Sequence, residues 1–191
     1  ELNGVTDQTI PAGLFENNTI KDLIINNNVD FAGTNIVTGT LSVSTGKTLT
    51  TNNKLVLKST ASGTARIASL PVDGSGVATA FITGNVTIER YIPMRKAWRL
   101  LSAPVKTLGA PSINAAWQEG LTTSSSNANL YPGYGVFIQG GSVANGFDQG
   151  LTSTPSIKIY NNASNAFIGL PPSPGTNQAI TSYPGYFLYI R

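Results

Sequence analysis

Three short stretches decide the fold: Asp22-Leu-Ile-Ile-Asn26, Thr40-Leu-Ser-Val-Ser44 and Lys54-Leu-Val-Leu-Lys58. In each, two apolar residues stand two apart, at Leu23/Ile25, Leu41/Val43 and Leu55/Leu57. Side chains alternate between faces along an extended chain, so each pair lies on one face of a strand. The pairs follow one another at intervals of 18 and then 14 residues, with Asn, Gly and Thr between them. Strand pairs recurring at about that spacing, with polar turns between, are what a parallel β-helix needs, because each coil stacks its inward residues on those of the next. Asn26-Asn27-Asn28 and Asn52-Asn53 flank strands, where Asn tolerates left-handed backbone angles and its amide can bond a neighbouring coil. Antiparallel hairpins with Asn-rich loops are the alternative. The recurrence favours the β-helix, and residues 1–72 are assigned to it.

From Gly63 the rhythm changes. Ala65-Arg-Ile-Ala-Ser-Leu70 leads into Asp73-Gly-Ser-Gly76, and a longer run from Ala78 to Ile92 then alternates apolar and polar residues. A second domain is expected over 77–191, with strands at Thr83 to Ile92, Ala97 to Pro104, Gly133 to Gln139, Ser156 to Tyr160, Ala166 to Leu170 and Gly185 to Arg191. Their Pro-, Ser- and Gly-rich connections suit an antiparallel β-sandwich of jelly-roll type. The stretch Ser112 to Glu119 suits one short helix. The fold class is therefore all-β throughout.

Composition agrees. Of 191 residues 40% are hydrophobic but only 11% charged, so Asn, Thr, Ser and Gly occupy polar positions that Lys and Glu usually fill, which favours strands and turns. The net charge of +3 is spread along the chain except for Arg90, Arg95, Lys96 and Arg99. Nucleic-acid binding needs a continuous basic face to displace counterions, and none is expected. No segment approaches the roughly 20 apolar residues of a membrane span. The sequence begins at Glu1 rather than Met, with no basic and apolar leader, and reads as a processed chain or a window from a longer one.

The chain has neither His nor Cys, which removes Ser-His-Asp and Cys-His nucleophilic sites and conventional zinc sites. A glycosidase needs two carboxyl groups across a sugar cleft, and only Glu89, Glu119 and Asp148 fall within the distinctive motifs of the second half. No catalytic role is expected. Calcium requires several oxygen ligands. Asp148 in Asn145-Gly-Phe-Asp148 offers one at most, and an Asx-type turn accounts for it better. Alternation places Val86, Ile88, Arg90 and Ile92 on one face; if that face is the core, Arg90 needs a carboxylate, and Glu119 or Asp148 is expected as its partner in a structural ion pair. Arg99, by the same logic, is an edge charge or a second partner. Trp98, Trp117, Tyr131, Tyr134 and Phe137 form the candidate ligand platform, since sugar rings stack on Trp and Tyr. Aromatic core packing competes with that reading.

A family likeness rests on Thr9-Ile-Pro-Ala12, Ile20-Lys-Asp-Leu-Ile-Ile-Asn-Asn27, Leu55-Val-Leu-Lys-Ser-Thr60 and Gly63-Thr-Ala-Arg66. In the second half it rests on Gly84-Asn-Val-Thr-Ile-Glu-Arg-Tyr-Ile-Pro93, Ala97-Trp-Arg-Leu-Leu101, Ala116-Trp-Gln-Glu-Gly120, Pro132-Gly-Tyr-Gly135 and Pro155-Ser-Ile-Lys158. Together these resemble the strand-repeat segment, and the module following it, of very large Bacteroidetes surface proteins. The likeness implies export by the type IX secretion system and an extracellular place, on the bacterial cell surface or in the medium, with adhesive or uncharacterised roles; stacked coils suit the leading reading, a structural module of a surface adhesin or filament acting as stalk, spacer or docking module. On that reading the expected partners are neighbouring modules of the same polypeptide or surface assembly, while the aromatic cluster makes polysaccharide the other candidate. The likeness supplies no catalytic residue. Two departures stand out. A Thr-His-Ile-Thr stretch expected after Pro-Gly-Tyr-Gly is replaced by Gly135-Val-Phe-Ile-Gln139, and the C-terminal sorting domain of a type IX substrate is absent from this sequence.

Overall fold

The computed structural model describes residues 1–93, 95–104, 110–121, 135–150 and 152–190. Strands dominate it, helix is almost absent, and the chain divides into two compact units, Glu1–Pro93 and Met94–Arg191. The all-β expectation holds at this level. The boundary lies after Pro93 and not between 72 and 77, because the segment around 81–88 pairs with the first unit.

In chain order the first unit contains β1 (Gln8–Ile10), β2 (Thr19–Ile20), β3 (Leu23–Ile25), β4 (Val29–Phe31), β5 (Asn35–Val37), β6 (Thr40–Val43), β7 (Thr48–Thr50) and β8 (Leu55–Leu57). A small hairpin of β9 (Ser59–Thr60) and β10 (Gly63–Thr64) follows, then β11 (Arg66–Ile67), β12 (Phe81–Thr83) and β13 (Val86–Ile88). Apart from that hairpin, every pairing of named strands here is parallel. The sheets run β1-β4-β7-β12, β2-β5-β8-β13 and β3-β6-β11. Successive strands thus visit the three sheets in a fixed rotation.

No strand of two to four residues is stable alone, so stability comes from ladders between successive rounds of the rotation. Leu23 stands opposite Leu41 and Ile25 opposite Val43. Val29 stands opposite Leu49, Ile10 opposite Phe31 and Val37 opposite Leu57. These ten side chains are buried in one cluster. Burying a Leu, Ile, Val or Phe side chain contributes about 1.5–3 kcal/mol against leaving it in water, and that sum opposes the chain entropy lost on folding. The interval of 18 residues is a true repeat, Leu23 to Leu41. The interval of 14 is not, because Leu55 and Leu57 pair with Asn35 and Val37 on a different sheet.

Asn residues hold the corners in two ways. Asn52 and Asn53 adopt φ of 50° and 62°, the left-handed region that Asn tolerates. The Asn52 amide donates to Phe31 O at 3.1 Å, and Asn53 Oδ1 accepts from the Asn85 backbone N–H at 2.8 Å. Asn26, Asn27 and Asn28 are not left-handed, yet each bonds a neighbouring round: Ser44 donates to Asn26, Asn27 donates to Thr6 O, and Asn28 Oδ1 accepts from Thr48 N–H at 3.1 Å. The run expected as a single strand from Thr83 to Ile92 is broken by Gly84 at φ 87°, where an added Cβ would lie 2.5 Å from Thr51 Oγ1. The chain turns there from one sheet to the next.

The second unit holds β14 (Ala97–Leu101), α1 (Ile113–Trp117), β15 (Ile157–Asn161), β16 (Ala166–Gly169) and β17 (Tyr186–Ile190). The strands form one antiparallel sheet ordered β14-β17-β15-β16. Ser112 caps α1, its hydroxyl accepting from Ala115 N–H at 3.0 Å, which is why the expected helix starts where it does. Strand alternation buries Ile157, Ile159, Tyr186, Leu188 and Ile190. Residues 135–139, expected to continue a strand from Gly133, are irregular. Gly135 and Gly140 bracket them at φ 60° and 129°, and their backbone bonds are dispersed to Trp117, Asp148 and Ser156 rather than to one partner strand. Among the described residues a second sheet facing the first is absent.

Candidate functional site

Alternation in the second unit's sheet has a consequence for its other face. With Tyr186, Leu188 and Ile190 inward, Phe187 and Tyr189 point outward. The register carries Trp98 opposite Tyr189, Leu100 opposite Phe187, Lys158 opposite Phe187 and Tyr160 opposite Phe167 to that same side. The rings form a continuous series. Trp98 stacks on Phe187 with centroids 4.7 Å apart and planes at 20°, and it meets Tyr189 at 5.4 Å and 56°. Phe167 lies 5.0 Å from Phe187 and 5.3 Å from Tyr160, the latter edge-on at 69°. Lys158 Nζ stands 5.1 Å from the Trp98 centroid, a cation–π contact worth about 0.5–1 kcal/mol at an exposed site. At one end of this face a depression of about 330 Å³ is lined by Leu100, Tyr160, Phe167, Tyr183, Pro184 and Gly185, among others.

The face departs from the expected ligand platform. Trp98 belongs to it, but its ring is engaged by Phe187, Tyr189 and Lys158. Trp117 does not belong to it: at the end of α1 it meets the edge of Tyr186, 5.2 Å away at 83°, and Tyr186 is one of the inward residues. Phe137 is a buried residue of the interior. Tyr131 and Tyr134 lie outside the described residues. Phe187, Tyr189, Tyr160 and Phe167 were missed as members of the face, although alternation in Tyr186-Phe-Leu-Tyr-Ile190 and Ile157-Lys-Ile-Tyr160 signals which residues point out. The most exposed rings, Tyr160 and Phe167, meet edge to face, so the surface is a ridged apolar strip and not a flat stacking platform.

The expected ion pair of Arg90 with Glu119 or Asp148 rests on a burial that does not occur. Arg90 lies beyond the end of β13 and is exposed, so solvent satisfies it. The ion pair found next to it is Lys58–Glu89 at 2.9 Å, half-exposed on both sides. Glu119 is exposed at φ 54°, just after α1. Asp148 is buried, and its Oδ2 accepts from the Ile138 backbone N–H at 2.7 Å and from the Gln118 amide at 2.9 Å. Asp148 N–H donates in turn to Ile138 O at 2.8 Å. That carboxylate ties three segments together, a structural use that also competes with a calcium-ligand role. Among the described residues no three acidic side chains gather into a metal-binding group. Arg99 stands opposite Leu188 on edge strand β14, and its Nε is buried without a hydrogen-bond partner.

One ionisable group is clearly perturbed. Burial pushes the Tyr186 phenol up to about 12, and its hydroxyl donates to Ile180 O at 2.9 Å. A neutral, hydrogen-bonded phenol in the interior is a packing element and not an acid–base group poised for work near neutral pH. No family model matches the chain, and neither the curated proteins nor the solved structures hold a match to it.

Proposed function

We propose that the chain is a non-catalytic structural module of a large secreted bacterial surface protein, with the Glu1–Pro93 unit a short parallel β-helix serving as stalk or spacer. The observation that carries this reading is the fixed rotation of parallel strands through three sheets, a construction that lengthens by adding rounds and gains one set of side-chain ladders with each. The antiparallel sheet of the second unit, with one buried face, supports reading that unit as a layer of the sandwich type expected from its sequence. An extracellular, cell-surface location follows from the family likeness set out above.

An antibody raised against residues 1–191 tests the location: it should label intact cells that make the parent protein. Labelling only after permeabilisation overturns the surface reading. Carbohydrate binding is the second reading, and the outward aromatic strip is what favours it. A polysaccharide panel, probed with the wild-type chain and with Trp98→Ala and Phe167→Ala variants of confirmed fold, separates the two. Binding lost in the variants would replace the spacer by a sugar-recognition module.

A further inference from the structure

Most Asn side chains of the described residues hold the fold together. Asn27 donates to Thr6 O and Asn52 to Phe31 O between successive rounds, and Asn35 donates to Gly33 O at 2.8 Å. A substituent on any of these amides would displace a bond of the fold. Among the described residues the exposed Asn side chains that make no hydrogen bond are Asn3, Asn17, Asn85 and Asn162. Asn17, Asn85 and Asn162 share a second property: Asn17-Asn18-Thr19, Asn85-Val86-Thr87 and Asn162-Ala163-Ser164 each carry a hydroxyl two residues on, with no Pro between. Asn3 has Val5 at that place. The pattern Asn-x-Ser/Thr occurs nowhere else in the chain, so every Asn that stands in it has an exposed and unused amide.

Each of these residues stands at a turn that another Asn holds. Between β1 and β2, Asn17 adopts φ 51°, the adjacent Asn18 Oδ1 accepts from Gly13 N–H at 2.9 Å, and Thr19 Oγ1 folds back to donate to Asn17 O at 3.1 Å. Between β12 and β13, Asn85 is fixed through its backbone, its N–H donating to Asn53 Oδ1 and its carbonyl accepting from Thr51 Oγ1, both at 2.8 Å. In the turn joining β15 and β16, Asn161 Oδ1 accepts from Ala163 N–H at 2.9 Å and from Ser164 N–H at 3.2 Å. The amides of Asn17, Asn85 and Asn162 are thus presented on ordered turns without being spent on them, and Thr19, Thr87 and Ser164 are exposed beside them. Asn17 and Asn85 belong to the first unit and Asn162 to the second, and each turn is built from residues of its own unit.

We infer that Asn17, Asn85 and Asn162 are modification sites that each carry an N-linked sugar. Asn-x-Ser/Thr on a surface turn is the acceptor pattern for that linkage. The co-reactant is a diphosphate-activated sugar, brought to the chain by a glycosyltransferase of the cell that makes it. The Asn Nδ2 forms a bond to C1 of the sugar, the bond from C1 to the donor's phosphate oxygen breaks, the diphosphate leaves with the electron pair, and one amide proton passes to a base of the transferase. The fold accommodates the product at these three positions because no hydrogen bond of either unit is displaced there, whereas a sugar on Asn27 or Asn52 would break a tie between rounds.

Mass spectrometry of the polypeptide purified from the cells that make it tests this. Trypsin cuts after Lys21, Arg66, Arg90 and Lys158, which puts Asn17, Asn85 and Asn162 on separate peptides, and electron-transfer fragmentation assigns any added sugar to one residue. Each of the three peptides should carry sugar mass on the named Asn, and Asn3, which shares a peptide with Asn17, should be bare. Ser164→Ala, made in the same cells, should lose the sugar from Asn162 although the amide is untouched, and Ser164→Thr should keep it. Bare Asn at all three positions overturns the inference. So does sugar on Asn3 to the same extent as on Asn17, or a Ser164→Ala chain as fully modified at Asn162 as wild type, since either result would mean that the hydroxyl two residues on selects nothing.

Discussion

Truncating Leu41 tests the ladder architecture most directly. Leu41 is fully buried, stands opposite Leu23 on one side and Ile67 on the other, and lies in the middle strand of its sheet. Rounds packed above and below hold the neighbouring backbone in place, so the space left by Leu41→Ala should collapse little, and the loss should fall near the middle of the 2–5 kcal/mol range, about 3 kcal/mol. Small domains are stable by only about 5–15 kcal/mol, so such a loss is large, on the order of 10–20 °C in melting temperature. The paired control is Ile24→Ala on β3. Ile24 points outward and is 43% exposed, so its truncation should cost less than about 1 kcal/mol. Urea unfolding followed by far-ultraviolet circular dichroism reads both variants. Tryptophan fluorescence does not report on this unit directly, because Trp98 and Trp117 both lie in the other one. Equal losses for Leu41→Ala and Ile24→Ala would refute the assignment of inward and outward faces, and with it the rotation of strands through three sheets.

Three further outcomes are expected. Asp148→Ala should destabilise the second unit by about 2–4 kcal/mol, because the Ile138 N–H and the Gln118 amide lose a charged acceptor in the interior; the Trp fluorescence midpoint in urea checks it. Raising the pH should weaken the fold between about 10 and 12. The Tyr186 phenol ionises at about 12 when folded and near 10 when unfolded, so its contribution is complete below pH 10 and is lost as pH climbs through the folded value. Tyr186→Phe should lose less over that window, by at most about 2 kcal/mol, as measured by urea midpoints at each pH. Thr50→Asp should cost up to about 1 kcal/mol, because Thr50 stands opposite Asp30 in the parallel ladder, whereas Thr50→Lys should be neutral or stabilising in thermal melts.

Much of the first unit was legible because its strands carry apolar residues two apart. Leu23/Ile25, Leu41/Val43 and Leu55/Leu57 all face the interior. What was hidden is which strands are neighbours. A strand such as Thr48-Leu-Thr50 offers a single inward residue, too little to show a period, and without it the step from Leu41 to Leu55 looks like a full round when it moves to another sheet. Arg90 misled for a related reason: alternation was carried past Ile88, where the strand ends and side chains no longer hold to one face. In the second unit the strands near Ala97, Ile157, Ala166 and Tyr186 were readable from alternation. The aromatic strip was only partly so, since Trp98 and Trp117 look equivalent in sequence until α1 turns Trp117 towards Tyr186.

The placing of charge in the first unit follows from the same geometry. In a parallel, in-register stack each outward residue stands about 4.8 Å from its counterpart in the next round, so a charge repeated from round to round would repel itself along the stack. The registers avoid this: Asp30 lies between Thr9 and Thr50, Arg66 lies beside Thr40, and Ile24 faces Ser42. Where two charges do meet between successive rounds, they are the opposite pair Lys58 and Glu89. Thr, Ser and Asn stack at such spacing without repulsion, and their hydroxyls and amides reach backbone groups of the next round, as Asn52 reaches Phe31 O and Thr51 Oγ1 reaches Asn85 O. Within the first unit, exposed charges such as Glu16 and Arg90 lie outside the parallel ladders, where no successive round repeats them.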